Sequence, residues 1–147
     1  MAITCRTVTN SDLEKLLNFM AAFYKIESIE FNYEKSMHAV MHFLSNEFGQ
    51  LRLIEMDGAP IGYYCIAYSH TLESYGRDCF LDEIYIEPLH QREGIGTKIM
   101  ESIEAGLKKD DFKAIHLIVH DNNNNAFDYY IKNGFRKHKA SFMTKAL

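Results

Sequence analysis

The spacing of apolar residues predicts two helices near the start of the chain, after a short strand over residues 3–8. The first helix is expected behind a capping box formed by Ser11 and Glu14. Its apolar stripe consists of Leu13, Leu16, Leu17, Met20 and Tyr24. A second helix is expected to begin near Asn32, with the stripe Met37, Val40, Met41 and Leu44.

The apolar period then shortens to that of strands. Strands are predicted over residues 51–56, 61–69 and 79–86, with a hairpin turn at Asp57-Gly58. A third amphipathic helix follows from Gly96 onward, with the stripe Ile95, Ile99, Met100, Ile103 and Leu107. After it we expect a strand over 114–119, a short helix over 126–133 stopped by Gly134, and a closing strand over 135–145. This order predicts an α/β fold with a mixed central sheet flanked by about four helices.

Composition restricts the protein class. The 147 residues suit one domain spanning 1–147, and 47% apolar content disfavours disorder. A formal charge of −4 disfavours a nucleic-acid binder, and no apolar run is long enough to span a membrane. The N-terminal residues lack the pattern of a secretory signal. Three cysteines without a C-x-x-C motif favour reduced thiols in the cytoplasm over disulfides or a zinc site.

Residues 90–100, HQREGIGTKIM, place two glycines between a predicted strand and a predicted helix. Free backbone N–H groups at such a helix start favour an anion, most naturally a phosphate. Gly94 and Gly96 would let the phosphate oxygens approach closely. The P-loop pattern is absent, and Ile99 stands where a dinucleotide fingerprint needs its third glycine. The alternative left open by these residues alone is a tight turn without a ligand.

Two segments of the sequence resemble motifs of the GNAT acetyltransferase superfamily. Gln91 to Gly96 is similar to its Q/R-x-x-G-x-G/A signature, which binds the pyrophosphate of acetyl-CoA. A second block resembles the family's V-x3-N-x2-A-x3-Y-x3-G-F segment and consists of Val119, Asn123, Ala126, Tyr130, Gly134 and Phe135. The first strand and helix also look like those of the family, so the resemblance covers nearly the whole chain.

The resemblance implies a set of acetyl-CoA-binding residues and a general acid. Backbone groups of the fourth predicted strand, the glycine loop, an asparagine and a tyrosine would hold the cosubstrate. These residues are Ile84, Tyr85, Ile86, Gln91, Arg92, Glu93, Gly94, Ile95, Gly96, Thr97, Asn123 and Tyr130. Tyr130 takes the place of the family's acid, which protonates the departing thiolate. The alternative is that Tyr130 only packs beside Phe127 and Ile131.

Two adjacent carboxylates are candidates for the general base. "LDEIYI" is similar to the "LED" stretch of polyamine acetyltransferases and contains Asp82 and Glu83. Neighbouring residues of a strand point to opposite faces, so without a bulge only one can face the cleft. Asp82 shares its predicted face with the apolar Ile84 and Ile86, so we favour Glu83. A water molecule as the proton acceptor is the alternative.

The resulting hypothesis is an acetyl-CoA-dependent N-acetyltransferase that transfers directly to a primary amine. Carboxylates outnumber cations on the expected acceptor side, which favours a small cationic amine; the carboxylates are Glu27, Glu30, Glu34, Glu73 and Asp78, against Lys25, Lys35 and Arg77. The alternatives are a protein N-terminal or lysine acetyltransferase and a non-catalytic acyl-CoA-binding domain. No metal is expected, because His116 and His120 lie too far apart on a strand to share one. Homodimers are common in the family, and the closing strand would offer an edge for one.

Overall fold

The computed structural model describes all of residues 1–147, and its elements follow the predicted order. The five strands are β1 (Ile3–Thr7), β2 (Gly49–Met56), β3 (Ala59–Thr71), β4 (Gly76–Ile86) and β5 (Ala114–His116). The four α-helices are α1 (Leu13–Ile26), α2 (Tyr33–Leu44), α3 (Ile95–Lys109) and α4 (Asn124–Lys132). The predicted α/β class with a mixed sheet and four helices is confirmed.

The strands form one sheet in the order β1-β2-β3-β4-β5. The first three pairings are antiparallel, and β4 and β5 are parallel. Parallel neighbours need a crossover connection, which α3 provides between β4 and β5. The carboxyl end of β4 therefore leads directly into the start of α3.

Both faces of the sheet are buried. On one face, α1 and α2 pack against a core that includes Leu16, Leu53 and Tyr63, none of which has measurable exposure. Ile54 follows Leu53 along β2 and is also fully buried, so it faces the other side of the sheet. The apolar stripe of α3 is buried as well.

Two local predictions are confirmed at residue level. Asp57 and Gly58 both have positive φ angles, 51° and 85°, as the two central positions of a type I′ hairpin turn require. The Asn32 side chain accepts a hydrogen bond from the backbone N–H of Lys35, at 2.9 Å, and so caps α2.

The capping box predicted at Ser11 and Glu14 was wrong. The same spacing of a hydroxyl and an acid occurs upstream, where the Asp12 carboxylate accepts hydrogen bonds from the Thr9 backbone N–H and hydroxyl, both at 2.8 Å. Asp12 also forms a bidentate ion pair with Arg6, at 2.7 and 2.9 Å. Because Arg6 of β1 holds Asp12 in this position, the capping box forms at Thr9. A single 3₁₀ turn follows, and α1 begins at Leu13.

Two predicted strands differ from the structure. β5 ends at His116 instead of continuing to residue 119, and residues 135–145 form no strand. A strand exists only when a neighbour completes its hydrogen-bond ladder, and no strand pairs with 135–145. The closing edge expected for a homodimer is therefore not formed.

The residues form two compact units, Met1–Leu117 and Ile118–Leu147. The first contains the sheet with α1, α2 and α3, and the second contains α4. A single functional domain over residues 1–147 stays a prediction. None of the helices combines the length and the apolar character needed to cross a membrane.

Candidate active site

The edge of β4 loses its neighbour halfway along the strand. β5 pairs with β4 only at Asp78, Cys79 and Phe80. Beyond Phe80, residues 81–86 are paired with β3 alone. Apart from the Ile86 carbonyl, which accepts from the Gln91 side chain, the backbone groups on the open side of this segment have no partner strand and can bind an extended ligand.

A glycine begins the helix that follows β4. Gly94 is the N-cap of α3 and has a φ of 74°, a conformation that other residues adopt only at a cost. A Cβ at Gly94 would meet no heavy atom within 4 Å, and one at Gly96 would meet only Ile86 Cδ1 at 4.0 Å. The space above the start of α3 is therefore open, and the fold itself does not require Gly96.

The start of α3 has the character of an anion site. Its glycine N-cap supplies no side chain to accept from the first N–H groups of the helix, where the positive end of the helix dipole lies. The Gln91 side chain donates to the Ile86 carbonyl at 2.7 Å and so ties the loop to the end of β4. Arg92, with a φ of 66°, and Glu93 are exposed beside this turn.

The side chains of two predicted acetyl-CoA-binding residues are part of the core. Tyr85 is 7% exposed and its ring lies 5.8 Å from that of Phe19. Ile95 is 1% exposed. These two residues can contact a ligand only through their backbone, whereas Ile84, Ile86 and Thr97 are half-buried.

A β-bulge separates the two candidate bases. Cys65 of β3 is opposite Glu83, but the next residue, Ile66, is opposite Leu81, so Asp82 is an extra residue on β4. The simple alternation used to assign the two faces therefore does not hold through Asp82. The Asp82 side chain belongs to the exposed residues, yet partial burial of its carboxyl raises the pKa of Asp82 as well.

Glu83 is held by two tyrosine hydroxyls. Tyr24 of α1 donates to Glu83 Oε2 at 2.7 Å, and Tyr63 of β3 donates to Oε1 at 2.8 Å. Burial raises the pKa of Glu83 above its usual value, the two hydroxyls lower it, and the nearby Asp82 charge raises it. The net effect is a raised pKa, which brings the carboxylate closer to the range suited to a general base.

Aromatic rings pack against the rings of the two tyrosines that contact Glu83. The Tyr24 ring meets Phe31 edge-on at 5.6 Å, and Phe23 lies perpendicular to Tyr63 at 6.4 Å. Phe31 lies in the α1–α2 linker. An aromatic wall with one carboxylate suits a cation that carries an apolar chain.

The structure contradicts the surface position that the sequence analysis gave to Asp78. Asp78 is completely buried, so it adds nothing to the carboxylate surplus expected on the acceptor side. It accepts hydrogen bonds from Ser69 and Thr71 at 2.6 Å, from Ser74 at 2.9 Å, and contacts His116 Nε2 at 2.9 Å. Burial alone would raise the pKa of Asp78, but the hydroxyls and His116 together hold it well below its usual range.

Replacing Asp78 with asparagine should destabilise the sheet. The asparagine amide offers one acceptor oxygen to donors that now share two, and we expect the free energy of unfolding to fall by about 3 kcal/mol. Because the folded pKa is lowered, this stabilisation is present above the unfolded pKa and is lost as the pH falls through the folded pKa. Urea denaturation at pH 7 and at strongly acidic pH measures both effects.

The exposed Asp110 offers a matched control for this experiment. The same substitution there should change stability by less than about 0.5 kcal/mol. Equal stability of wild type and Asp78→Asn at pH 7 would contradict the assigned role of the buried carboxylate.

The remaining predicted site residues lie in the second unit. The Asn123 side chain caps α4 by accepting from the Ala126 N–H at 3.2 Å. Tyr130, on α4, is half-buried, and its ring lies 5.3 Å from those of Tyr129 and Phe135. Burial raises the pKa of Tyr130. The candidate base and the candidate acid thus belong to different units, Met1–Leu117 and Ile118–Leu147.

Sequence reasoning missed two contributors to this site. Tyr24 and Tyr63 were assigned to the apolar stripe of α1 and to a half-buried strand, and their rings do pack there. Their hydroxyl partner Glu83 is 59 and 20 residues away along the chain. No local pattern indicates such a contact.

Comparisons with known proteins bear on the family. Residues 17–135 match the sequence model of the acetyltransferase (GNAT) family. A thialysine N-epsilon-acetyltransferase from Bos taurus is 29% identical over 82 residues, which are 53% of this chain and 48% of the bovine protein. The match thus spans about half the length of that curated relative.

Solved structures with similar folds extend over nearly the whole chain. A possible acetyltransferase from Clostridium difficile 630 has a TM-score of 0.84 and 17% identity, covering 100% of this chain and 99% of that one. A predicted acetyltransferase from Clostridium acetobutylicum, solved with acetyl-CoA, has a TM-score of 0.78 and 18% identity, covering 98% and 96%. At such identities the likeness shows the fold. Together with a family match over more than half of the chain, it confirms the resemblance found in the sequence: this protein belongs to the acetyltransferase (GNAT) family.

Proposed function

We propose that this protein is an acetyl-CoA-dependent N-acetyltransferase that acts on a small cationic primary amine. The observation that carries the proposal is the arrangement of one strand. β4 bears the half-buried Glu83 carboxylate, has an open edge after Phe80, and leads into the glycine-capped start of α3. A base, a strand edge and an anion site therefore follow one another along residues 81–97.

The residues of this segment fit acetyl-CoA. The pyrophosphate would lie at the start of α3, where Gly94 and Gly96 leave open space. The open edge of residues 84–86 would hold the extended arm of the cosubstrate by backbone hydrogen bonds. Asn123 would contribute through its amide NH₂, since its carbonyl oxygen caps α4. When bound, acetyl-CoA supplies an acetyl group activated as a thioester.

Glu83 would receive the proton of the incoming ammonium. A primary amine has a pKa near ~10.4, so at neutral pH it arrives charged and must lose a proton before it can attack. A carboxylate with a raised pKa both attracts the ammonium and accepts that proton more readily than an ordinary glutamate. Tyr130 would protonate the departing thiolate, and burial keeps its hydroxyl protonated at neutral pH.

The surroundings of Glu83 support a small cationic acceptor. The carboxylate accepts from the hydroxyls of Tyr24 and Tyr63, and the half-buried Phe31 ring lies against that of Tyr24, where it would suit the alkyl chain of an amine. The name of the bovine relative describes acetylation of the ε-amine of thialysine, a primary amine at the end of a flexible chain. The three cysteines are all free, as in a reducing compartment, and we propose a cytoplasmic location.

The experiment that tests this function measures free thiol released from acetyl-CoA in the presence of diamines, polyamines and lysine analogues. We expect release that depends on the amine, together with a product heavier by one acetyl group. In parallel, calorimetric titration of Gly96→Val should show acetyl-CoA affinity reduced by about tenfold or more, because the side chain blocks the approach of phosphate to the helix start.

Gly106→Val is the matched control, because Gly106 lies on the same helix in open space. It should bind acetyl-CoA as the wild type does. Unchanged affinity in folded Gly96→Val would remove the anion site from the proposal. Tight acetyl-CoA binding without thiol release by any amine would instead indicate a non-catalytic acyl-CoA-binding domain.

A further inference from the structure

We infer that Tyr24 and Tyr63 are positioning residues that act through Glu83, holding its carboxylate in one orientation and in its ionised form so that it can take the proton of the acceptor. This inference rests on the proposed function, because it assigns the two hydroxyls a role in the same proton transfer. Neither tyrosine belongs to the set of residues that the sequence motifs assign to the site.

The hydrogen bonding of Glu83 leaves acceptor capacity for a substrate. Each tyrosine contacts a different oxygen of Glu83, at 2.7 and 2.8 Å. A carboxylate has about four lone-pair positions, so about two stay available to an ammonium N–H. The two hydroxyl donors come from different elements and fix the rotation of the carboxylate. Without them, a flexible glutamate side chain would lose conformational entropy on adopting the orientation needed for proton transfer.

Both tyrosine hydrogen bonds to Glu83 can persist while the proton is transferred. As the ammonium N–H bond breaks, an O–H bond forms on Glu83 and the nitrogen keeps its electron pair. The glutamic acid that results still has acceptor capacity on both oxygens, so neither hydroxyl has to move. The neutral amine is then free to attack, and Glu83 returns its proton to solvent.

The groups that face Glu83 set the expected direction of its pKa. They are Tyr24 from α1, Tyr63 and Cys65 from β3, and Asp82 on the same strand. The Asp82 charge and burial disfavour the ionised carboxylate, and the two hydroxyls favour it. The buried thiol of Cys65, whose pKa burial raises to about 12, stays neutral. The hydroxyls are therefore the groups that oppose neutralisation of the base.

Tyr24 also connects the base to the α1–α2 linker. Its backbone carbonyl accepts from the Ile29 N–H at 2.8 Å, and its ring meets that of Phe31. A purely structural explanation also exists for Tyr63, since a buried hydroxyl needs a partner. That explanation predicts an effect on stability alone, whereas the positioning role predicts an effect on the titration of Glu83.

The first test is the pH dependence of kcat/KM for Tyr24→Phe and Tyr63→Phe. Removing a donor raises the pKa of Glu83, and the base works only when ionised, so the acid limb of the profile should move to higher pH. Near the acid limb, kcat/KM should fall by about tenfold, the worth of one hydrogen bond to a charged group. Acetyl-CoA affinity should not change.

Tyr64→Phe is the matched control, because Tyr64 is the buried neighbour of Tyr63 on the opposite face of β3. Its profile should coincide with that of the wild type. If Tyr24→Phe and Tyr63→Phe, both folded, also coincide with the wild type while Glu83→Gln is impaired, the positioning role is refuted and the proposed function stands.

A second measurement does not depend on activity. The carboxyl carbon of Glu83, assigned by its absence from the Glu83→Gln spectrum, can be titrated by carbon-13 NMR in the protein without substrates. We expect a higher pKa in Tyr24→Phe and Tyr63→Phe than in the wild type, and the same pKa in Tyr64→Phe. Equal values in all four proteins would overturn the inference, even if no amine acceptor is found. A failure of the amine screen alone overturns only the proposed function.

Discussion

Glu83→Gln should lower turnover by about 10²–10⁴-fold, the usual contribution of a positioned general base. The glutamine side chain has the same shape and still offers an oxygen to one tyrosine hydroxyl, but it cannot take a proton. The remaining activity should depend on amine that is already neutral in solution. The pH profile of the variant should therefore rise toward the amine pKa of ~10.4, well above the range in which the wild type reaches its plateau.

The substitution Asp82→Asn tests which of the two candidate carboxylates is the general base. The Asp82 charge raises the pKa of Glu83, so its removal should move the acid limb of the wild-type profile to lower pH. This direction is opposite to the one expected for Tyr24→Phe. If Asp82→Asn instead loses turnover and Glu83→Gln does not, Asp82 is the base and the assignment of Glu83 is wrong. Steady-state kinetics with one saturating amine distinguishes the outcomes.

The features that the sequence predicts well are those determined by neighbours in the chain. The glycine-containing turn between β4 and α3 and the Asp57-Gly58 turn between β2 and β3 both form where the sequence predicts them. Both follow from backbone conformations that only a few residue types adopt easily. The apolar stripes of α1 and α3 are also local: the structure buries the whole stripe of α3, and Leu16, Leu17 and Met20 of the stripe of α1.

The features that the sequence does not reveal depend on partners far along the chain. The bulge at Asp82 is defined by its pairing with Cys65 and Ile66 on another strand, so alternation along β4 alone gave an incomplete account of its faces. Likewise, a carboxylate such as Asp78 looks like a surface residue until hydroxyls from the β3–β4 hairpin and the imidazole of β5 are brought to it. Residues 135–145, which the sequence analysis predicts as a strand, have no partner strand.

The second large effect on turnover is expected for Tyr130→Phe. This substitution distinguishes a catalytic role of Tyr130 from a packing role. The substitution removes one hydroxyl and keeps the ring that contacts Tyr129 and Phe135. If the residue only packs, the melting curve should show a loss of at most about 1 kcal/mol and turnover should be unchanged. If its hydroxyl protonates the departing thiolate, turnover should fall by about 10²–10⁴-fold.

The lower end of that range is the better expectation for Tyr130→Phe. The thiol of CoA has a pKa near that of free cysteine, ~8.5, so its thiolate can also leave without a proton. Acetyl-CoA affinity should change little, because the start of α3 is untouched. Tyr129→Phe, which removes a hydroxyl from the adjacent position of α4, is the matched control and should keep wild-type turnover. A folded Tyr130→Phe with wild-type kcat at a saturating amine concentration would rule out the general acid and leave packing as the role of this tyrosine.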